Sequence, residues 1–274
     1  MASVRGLRSG TFANGMEFLT WGSGPKALLF IPGGPGSAIP TGMWSQMSRR
    51  WFAPFVEAGY AIWIVTRRRN MPTGHTVADM ADDYAHVIAE DLGDRIDLVV
   101  GESYGGMIAQ YLAARHGESW GHVAIVVAAA EVSDWGKEVD SRLASALARG
   151  DTVGFGMAFA EYLLPGERSR WARRLAGPWI GRGLLSGKNY PPADLLVEIE
   201  AEMSFDSRPA LPRIEAPVVL LCGDRDRFFP IDGVEETVRL IPDCTLVRYE
   251  GQGHMKVATS RRVAHDVLAF VNRN

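Results

Sequence analysis

The sequence predicts an α/β fold: a mostly parallel central sheet, helices on both of its faces, and a helical segment inserted between two strands. Three observations carry this. Short apolar runs recur along the chain and alternate with stretches of helical periodicity. The runs are apolar throughout instead of alternating with polar residues, which marks strands covered on both faces. The alternation stops over residues 131–211 and then resumes, so the chain divides into a core domain of 1–130 and 212–274 and a helical insertion of 131–211.

In chain order, residues 11–21 read as a hairpin turning at Asn14-Gly15, a dipeptide that tolerates positive φ. Ala27–Ile31 is a buried strand that runs into P-G-G-P-G-S at 32–37. A helix follows from Trp44 to Ala58, then the strand Tyr60–Thr66. Arg67, Arg68 and Arg69 open a polar loop that passes through His75. Thr76 caps a helix to Asp91, on which Val77, Met80, Tyr84, Val87 and Ile88 recur at helical spacing. The strand Ile96–Val100 leads directly into G-E-S-Y-G-G at 101–106 and a helix to His116. Val123–Ala130 is the fourth buried strand. In the insertion, Val139, Leu143, Ala146 and Leu147 form one helical stripe, and Leu195, Leu196, Ile199 and Met203 another. Ala216–Cys222 and Thr245–Tyr249 complete the sheet, with a helix near 232–240 between them and a last helix from Lys256 to Val271.

A chain of 274 residues with 47% hydrophobic and 22% charged residues is an ordinary globular composition, which excludes bulk disorder, collagen and coiled coil. The net charge of −3 supplies no positive field for nucleic acid or acidic membranes. The longest apolar run, 123–130, is far shorter than a bilayer span, and the N-terminus lacks the apolar stretch of a signal peptide, so the expected setting is cytoplasmic. Cys222 and Cys244 fall at opposite ends of neighbouring strands, too far apart for a disulfide and too few for a metal set. No metal or cofactor is expected. The expected partner is a small-molecule substrate, and both a monomer and a homodimer are compatible with the sequence.

The chemistry concentrates at G-E-S-Y-G, 101–105, a G-x-S-x-G pattern between a buried strand and a helix. That context makes a sharp turn that lifts Ser103 above the sheet and aims a helix N-terminus at the same point. A phosphate loop would need G-x-x-x-x-G-K-S/T, which is absent. A serine hydroxyl needs a base, and the base needs an orienting carboxylate. Of six histidines, His86 and His265 lie inside helices and His116 ends one. His254, in G-Q-G-H after the last strand, falls at the same sheet edge as Ser103. G-D-R-D-R-F-F-P at 223–230 offers Asp224 and Asp226, and bare spacing does not separate them. In P-G-G-P-G, Gly34 is the expected oxyanion donor beside the Tyr104 N–H, because Pro35 has no N–H.

Strand, P-G-G-P-G, strand, G-E-S-Y-G-G, strand, helical insertion, strand, G-D-R-D-R-F-F-P, strand, G-Q-G-H: this order resembles the α/β-hydrolase superfamily along nearly the whole chain. The resemblance implies a Ser103, Asp226, His254 triad, since the family's G-x-x-D-x-x-x-P segment matches Gly223, Asp226 and Pro230. It implies that 131–211 is a cap over the site. The family usually reads H-G-x-P-G where this chain has Pro32 in place of His, and D-x-R-G where it has T-R-R-R-N. The G-G-P-G loop is similar to that of proline iminopeptidases and some carbon–carbon bond hydrolases.

The resemblance implies hydrolysis of an ester, lactone or similar acyl bond in a moderately hydrophobic substrate. The alternatives are carbon–carbon bond or aminopeptidase chemistry with the same triad, and a non-catalytic binding protein. Trp44, Met107 and Trp135 are candidate pocket residues, with His75 at the same edge. Arg67–Arg69 reads as a solvated loop, or as a partner for Glu102 or a substrate carboxylate. Glu198, Glu200 and Glu202 read as a solvated helix face, although an aminopeptidase would need acidic residues there.

Overall fold

The computed structural model describes residues 6–93, 95–117, 120–186 and 190–273. Eight strands form one sheet: β1 (Arg8–Thr11), β2 (Glu17–Trp21), β3 (Lys26–Ile31), β4 (Tyr60–Val65), β5 (Ile96–Glu102), β6 (Trp120–Val126), β7 (Val218–Gly223) and β8 (Cys244–Tyr249). Their spatial order is β1-β2-β4-β3-β5-β6-β7-β8. The expected hairpin is β1 and β2, paired antiparallel through a turn in which Gly15 has φ 85°. β2 meets β4 antiparallel, and every pairing from β4 to β8 is parallel.

The apolar strand sequences have a direct reason. Successive residues of a strand face opposite sides, and both sides are covered. Leu29 and Ile31 pack under α2 (Val77–Asp91), α3 (Tyr104–Arg115) and α8 (Ile231–Leu240). Leu28 packs, with Phe30 beside it, under α1 (Gly42–Glu57) and α10 (Arg262–Val271). The crossovers put β3 beside β5 with Leu28 opposite Leu98, so the loops leaving these two strands meet at one edge. β7 and β8 end at that edge too.

Between β6 and β7 lie α4 (Asp134–Ala148), α5 (Thr152–Leu163), α6 (Arg170–Leu184) and α7 (Pro192–Met203). They form a small core of their own from Val139, Leu143, Phe155, Leu195 and Ile199. Trp171, Leu175 and Trp179 line the outer face of α6, and all three are exposed.

Two of the differences from the sequence expectation have a visible local cause. The run Val123–Ala130 outlasts its strand, because Val127 turns to φ 47° and the alanines that follow are buried in the turn. The last helix is split into α9 (His254–Ala258) and α10. At the break, the Ser260 carbonyl accepts from Trp51 Nε1 at 3.2 Å and from the Val263 N–H at 3.2 Å, which starts a new helix. Cys222 and Cys244 are free and stand in register with Arg248 and Val218, at opposite ends of β7 and β8. Among the described residues no helix is long and apolar enough to cross a membrane.

Candidate active site

Ser103 sits at the turn from β5 into α3 with φ 52° and ψ −116°, a strained conformation for a residue with a side chain. The surroundings hold it there. Its N–H donates to the Val126 carbonyl at 2.8 Å, and its carbonyl accepts from Gly106 and Met107 at 2.7 and 3.2 Å. The turn is tight enough that a Cβ on Gly105 would lie 2.0 Å from the Ile31 carbonyl oxygen.

The Ser103 Oγ is 2.9 Å from His254 Nε2, and His254 Nδ1 is 2.7 Å from Asp226 Oδ2. With the imidazole proton on Nδ1, the ring donates to Asp226 and presents Nε2 to the hydroxyl. Asp226 Oδ1 accepts from the Phe228 and Phe229 N–H groups at 2.9 and 3.2 Å, so its buried carboxylate has partners on both oxygens. Asp224 turns elsewhere, accepting from the Gly251 N–H at 2.7 Å and facing Arg248. The rings of Phe228 and Phe229 flank the imidazole at 5.3 and 6.0 Å. His254 itself is the first residue of α9.

Gly34 lines the same cavity as Ser103, and Tyr104 follows Ser103 in the chain. The Gly34 N–H donates to no protein acceptor among the described residues. Tyr104 is the first residue of α3, a position whose N–H has no acceptor within the helix. A cavity of about 380 Å³ covers this point. Its floor includes Gly33, Gly34, Ser103 and His254, and its roof is Phe159, Tyr162, Leu184 and Glu202 from the inserted helices.

The candidate pocket residues fall elsewhere. His75 pairs with Asp83 at 2.8 Å and does not line the cavity. Met107 is fully buried in the core beneath the turn, because α3 carries it down against the sheet. Trp135 packs edge-on against Phe228 at 4.8 Å, one layer behind the imidazole. Trp44 is exposed and lines, with Met43 and Met47, a separate cleft of about 660 Å³ that shares Pro32, Ala38, Glu102 and Ala258 with the cavity wall. Two of the roof residues, Phe159 and Tyr162, stand three apart on one face of α5.

The charged residues also differ from expectation. Arg67 is buried and forms a two-pronged ion pair with Glu198, at 2.5 and 3.1 Å. Arg68, partly exposed, pairs with Asp83, and Arg69 pairs with Glu17, so each member of the run has an acidic partner and none pairs with Glu102. Burial works against the Arg67 cation, but Glu198 outweighs it and holds its pKa above the ordinary arginine value. Of the three glutamates on α7, Glu200 is exposed, whereas Glu198 and Glu202 are buried. They fall in the same stripe as Leu195 and Ile199, at helical spacing, and that register was the available signal. Glu202 Oε2 has no partner, and burial, then Asp140 and Glu198, raise the Glu202 pKa well above the carboxylate range. Asp140 accepts from the Tyr162 hydroxyl, and its own pKa is raised by burial. Glu102, beside Gly33, is pushed up to about 7 by burial, against the pull of His254.

Proteins similar to this chain in sequence or fold include hydrolases and a haloperoxidase. RutD of Yersinia enterocolitica, a protein named as a carbamate hydrolase, is 26% identical over 211 residues, 73% of this chain and 72% of its own length. A non-heme haloperoxidase of Rhodococcus erythropolis is 27% identical over 95% of this chain and 98% of its own. The solved enol-lactonase of Burkholderia xenovorans superposes with TM-score 0.72 at 19% identity, covering 94% of this chain and 98% of that one. The model of the alpha/beta hydrolase family matches residues 28–266, from the first buried parallel strand into the last helix. With that match spanning all four loops that meet at Ser103, the chain belongs to the alpha/beta hydrolase family.

Proposed function

We propose that the protein is a serine hydrolase that cleaves an ester, lactone or similar acyl bond of a small, moderately hydrophobic molecule. The observation that carries this reading is the hydrogen-bonded series Ser103–His254–Asp226 beneath a largely apolar roof. Ser103 attacks the carbonyl while His254 Nε2 takes its proton. Asp226 holds the imidazole orientation and stabilises the imidazolium. The Gly34 and Tyr104 N–H groups receive the oxyanion. His254 then protonates the leaving group and activates the water that releases the acyl group. In this reading the inserted helices serve as the cap that excludes bulk water. A graded panel of p-nitrophenyl esters tests it: turnover is present in the wild type and falls about 10⁴-fold or more in Ser103→Ala. Equal turnover in both proteins overturns the scheme.

A second reading, favoured by one specific observation, is a substrate that carries an ammonium group, as aminopeptidase-like chemistry would require. Glu202 is a buried carboxyl with an unpartnered oxygen, and the residue lines the cavity together with Phe159, Tyr162 and Phe228. No lysine or arginine is among the lining residues. Burial favours the neutral form of Glu202, and an ammonium group bound beside it would draw it to the carboxylate, which together with aromatic faces suits a cation. The measurement is KM for an aminoacyl ester against its uncharged isostere. Glu202→Gln is expected to raise KM about tenfold for the cationic ester alone; an equal effect on both removes this reading.

A further inference from the structure

The loop from Pro32 to Gly36 has no side chain of its own that could order it. Pro32 and Pro35 carry no donors, and the rest are glycines. Its order comes from two residues far away in sequence. Arg67, just past β4, donates from Nη1 to the Pro32 carbonyl at 2.8 Å and from Nη2 to the Gly33 carbonyl at 3.2 Å. Glu198, on α7, takes the same guanidinium and also accepts the Gly36 N–H at 2.5 Å. Glu198 is fixed in turn by the Tyr190 hydroxyl on its carboxylate, and by the Tyr104 hydroxyl on its backbone carbonyl at 3.0 Å. Neither the Arg67 nor the Glu198 side chain has exposed surface.

The geometry of the peptide unit turns this into a statement about Gly34. In a trans peptide the carbonyl and the following N–H point in opposite directions. With the Gly33 carbonyl drawn to Arg67, the Gly34 N–H faces away from the guanidinium. Gly34 lines the cavity and Arg67 does not. The fit is close: a Cβ on Gly34 would lie 2.5 Å from Arg67 Nη2.

We infer that Arg67 and Glu198 are positioning residues that aim the Gly34 N–H at the oxyanion, so that the inserted helix α7 sets the transition-state geometry of the core. This rests on the reading of Ser103 as nucleophile. Displacing α7 removes Glu198 from both the guanidinium and the Gly36 N–H, and the donor loses its aim.

The test uses the full chain and two charge-conserving variants, Arg67→Lys and Glu198→Asp. Lysine keeps the buried charge balance but cannot fork to two carbonyls. Aspartate withdraws the carboxylate by one methylene. Each is checked for folding by thermal unfolding, then assayed for p-nitrophenyl butyrate hydrolysis and for inhibition by butylboronic acid. Ser103 Oγ adds to the trigonal boron, its proton passes to His254, and one oxygen of the tetrahedral adduct takes the oxyanion position. The expected result is a fall in kcat of about 10²-fold, KM within about threefold of wild type, and a boronate Ki that rises in step with the loss of kcat/KM. Unchanged kcat and Ki, a kcat loss with unchanged Ki, or a rise in KM alone overturns the inference. If a charge-conserving variant does not fold, Tyr190→Phe removes one hydroxyl from Glu198, and a parallel several-fold loss of kcat and boronate affinity is required. A wild type that neither binds the boronate nor hydrolyses the ester overturns the hydrolase reading itself.

Discussion

At the scale of single residues, the site depends on which groups are given partners. Asp226 has both oxygens occupied, one by His254 and one by two backbone N–H groups. Glu102 has no side-chain hydrogen bond among the described residues, and burial raises it to about 7 from an ordinary 4.5. The folded protein therefore binds the Glu102 proton more tightly than the unfolded chain does. Between about pH 4.5 and 7 the folded state holds a proton that the unfolded state has lost, so Glu102 costs stability as pH rises through that window. The cost reaches on the order of 2–3 kcal/mol above it. Glu102→Gln is expected to match the wild type in thermal stability near pH 4.5 and to exceed it by about 5 °C at pH 8. A difference that stays constant across that range contradicts the assignment. The sequence made Ser103 and His254 legible because each sits in a loop whose position follows from the strand before it. Asp226 needed the family pattern, since Asp224 occupies an equivalent turn and differs only in where the turn points it.

At the scale of elements, the turn between β5 and α3 is the most demanding piece of backbone. β3 and α3 approach so closely there that Gly105 has no room for a methyl group against the Ile31 carbonyl. Gly105→Ala is expected to lower stability by about 3 kcal/mol and to reduce ester turnover in the remaining folded protein, because relieving the clash moves Ser103 away from His254. Wild-type turnover and melting temperature in this variant contradict that packing. Helix existence and order were readable from periodicity and caps; Thr76 forms the reciprocal capping arrangement with Asp79 that opens α2. The break between α9 and α10 was not readable, because its cause is a tryptophan from α1 reaching the Ser260 carbonyl across more than 200 residues. The face of α7 was misread for a related reason. Glutamates count as polar in any periodicity, and burial of Glu198 is made tolerable by partners outside α7: Arg67, the Tyr190 hydroxyl and the Gly36 N–H.

At the scale of the whole molecule, the four loops that meet at Ser103 come from positions near 34, 103, 226 and 254 and are joined only by the sheet order. The sequence supplies the strands, but their order in space depends on crossovers that no local pattern records. The separation of Cys222 and Cys244 by the full length of two paired strands has a further consequence. Burial raises these thiols to about 11 and about 12, so at neutral pH neither offers an appreciable thiolate to an alkylating reagent. A cysteine introduced at Trp171 or Trp179, on the exposed face of α6, is then expected to alkylate faster than either native thiol. A fluorophore or spin label placed there would report on the inserted helices from outside, with both native cysteines left as they are.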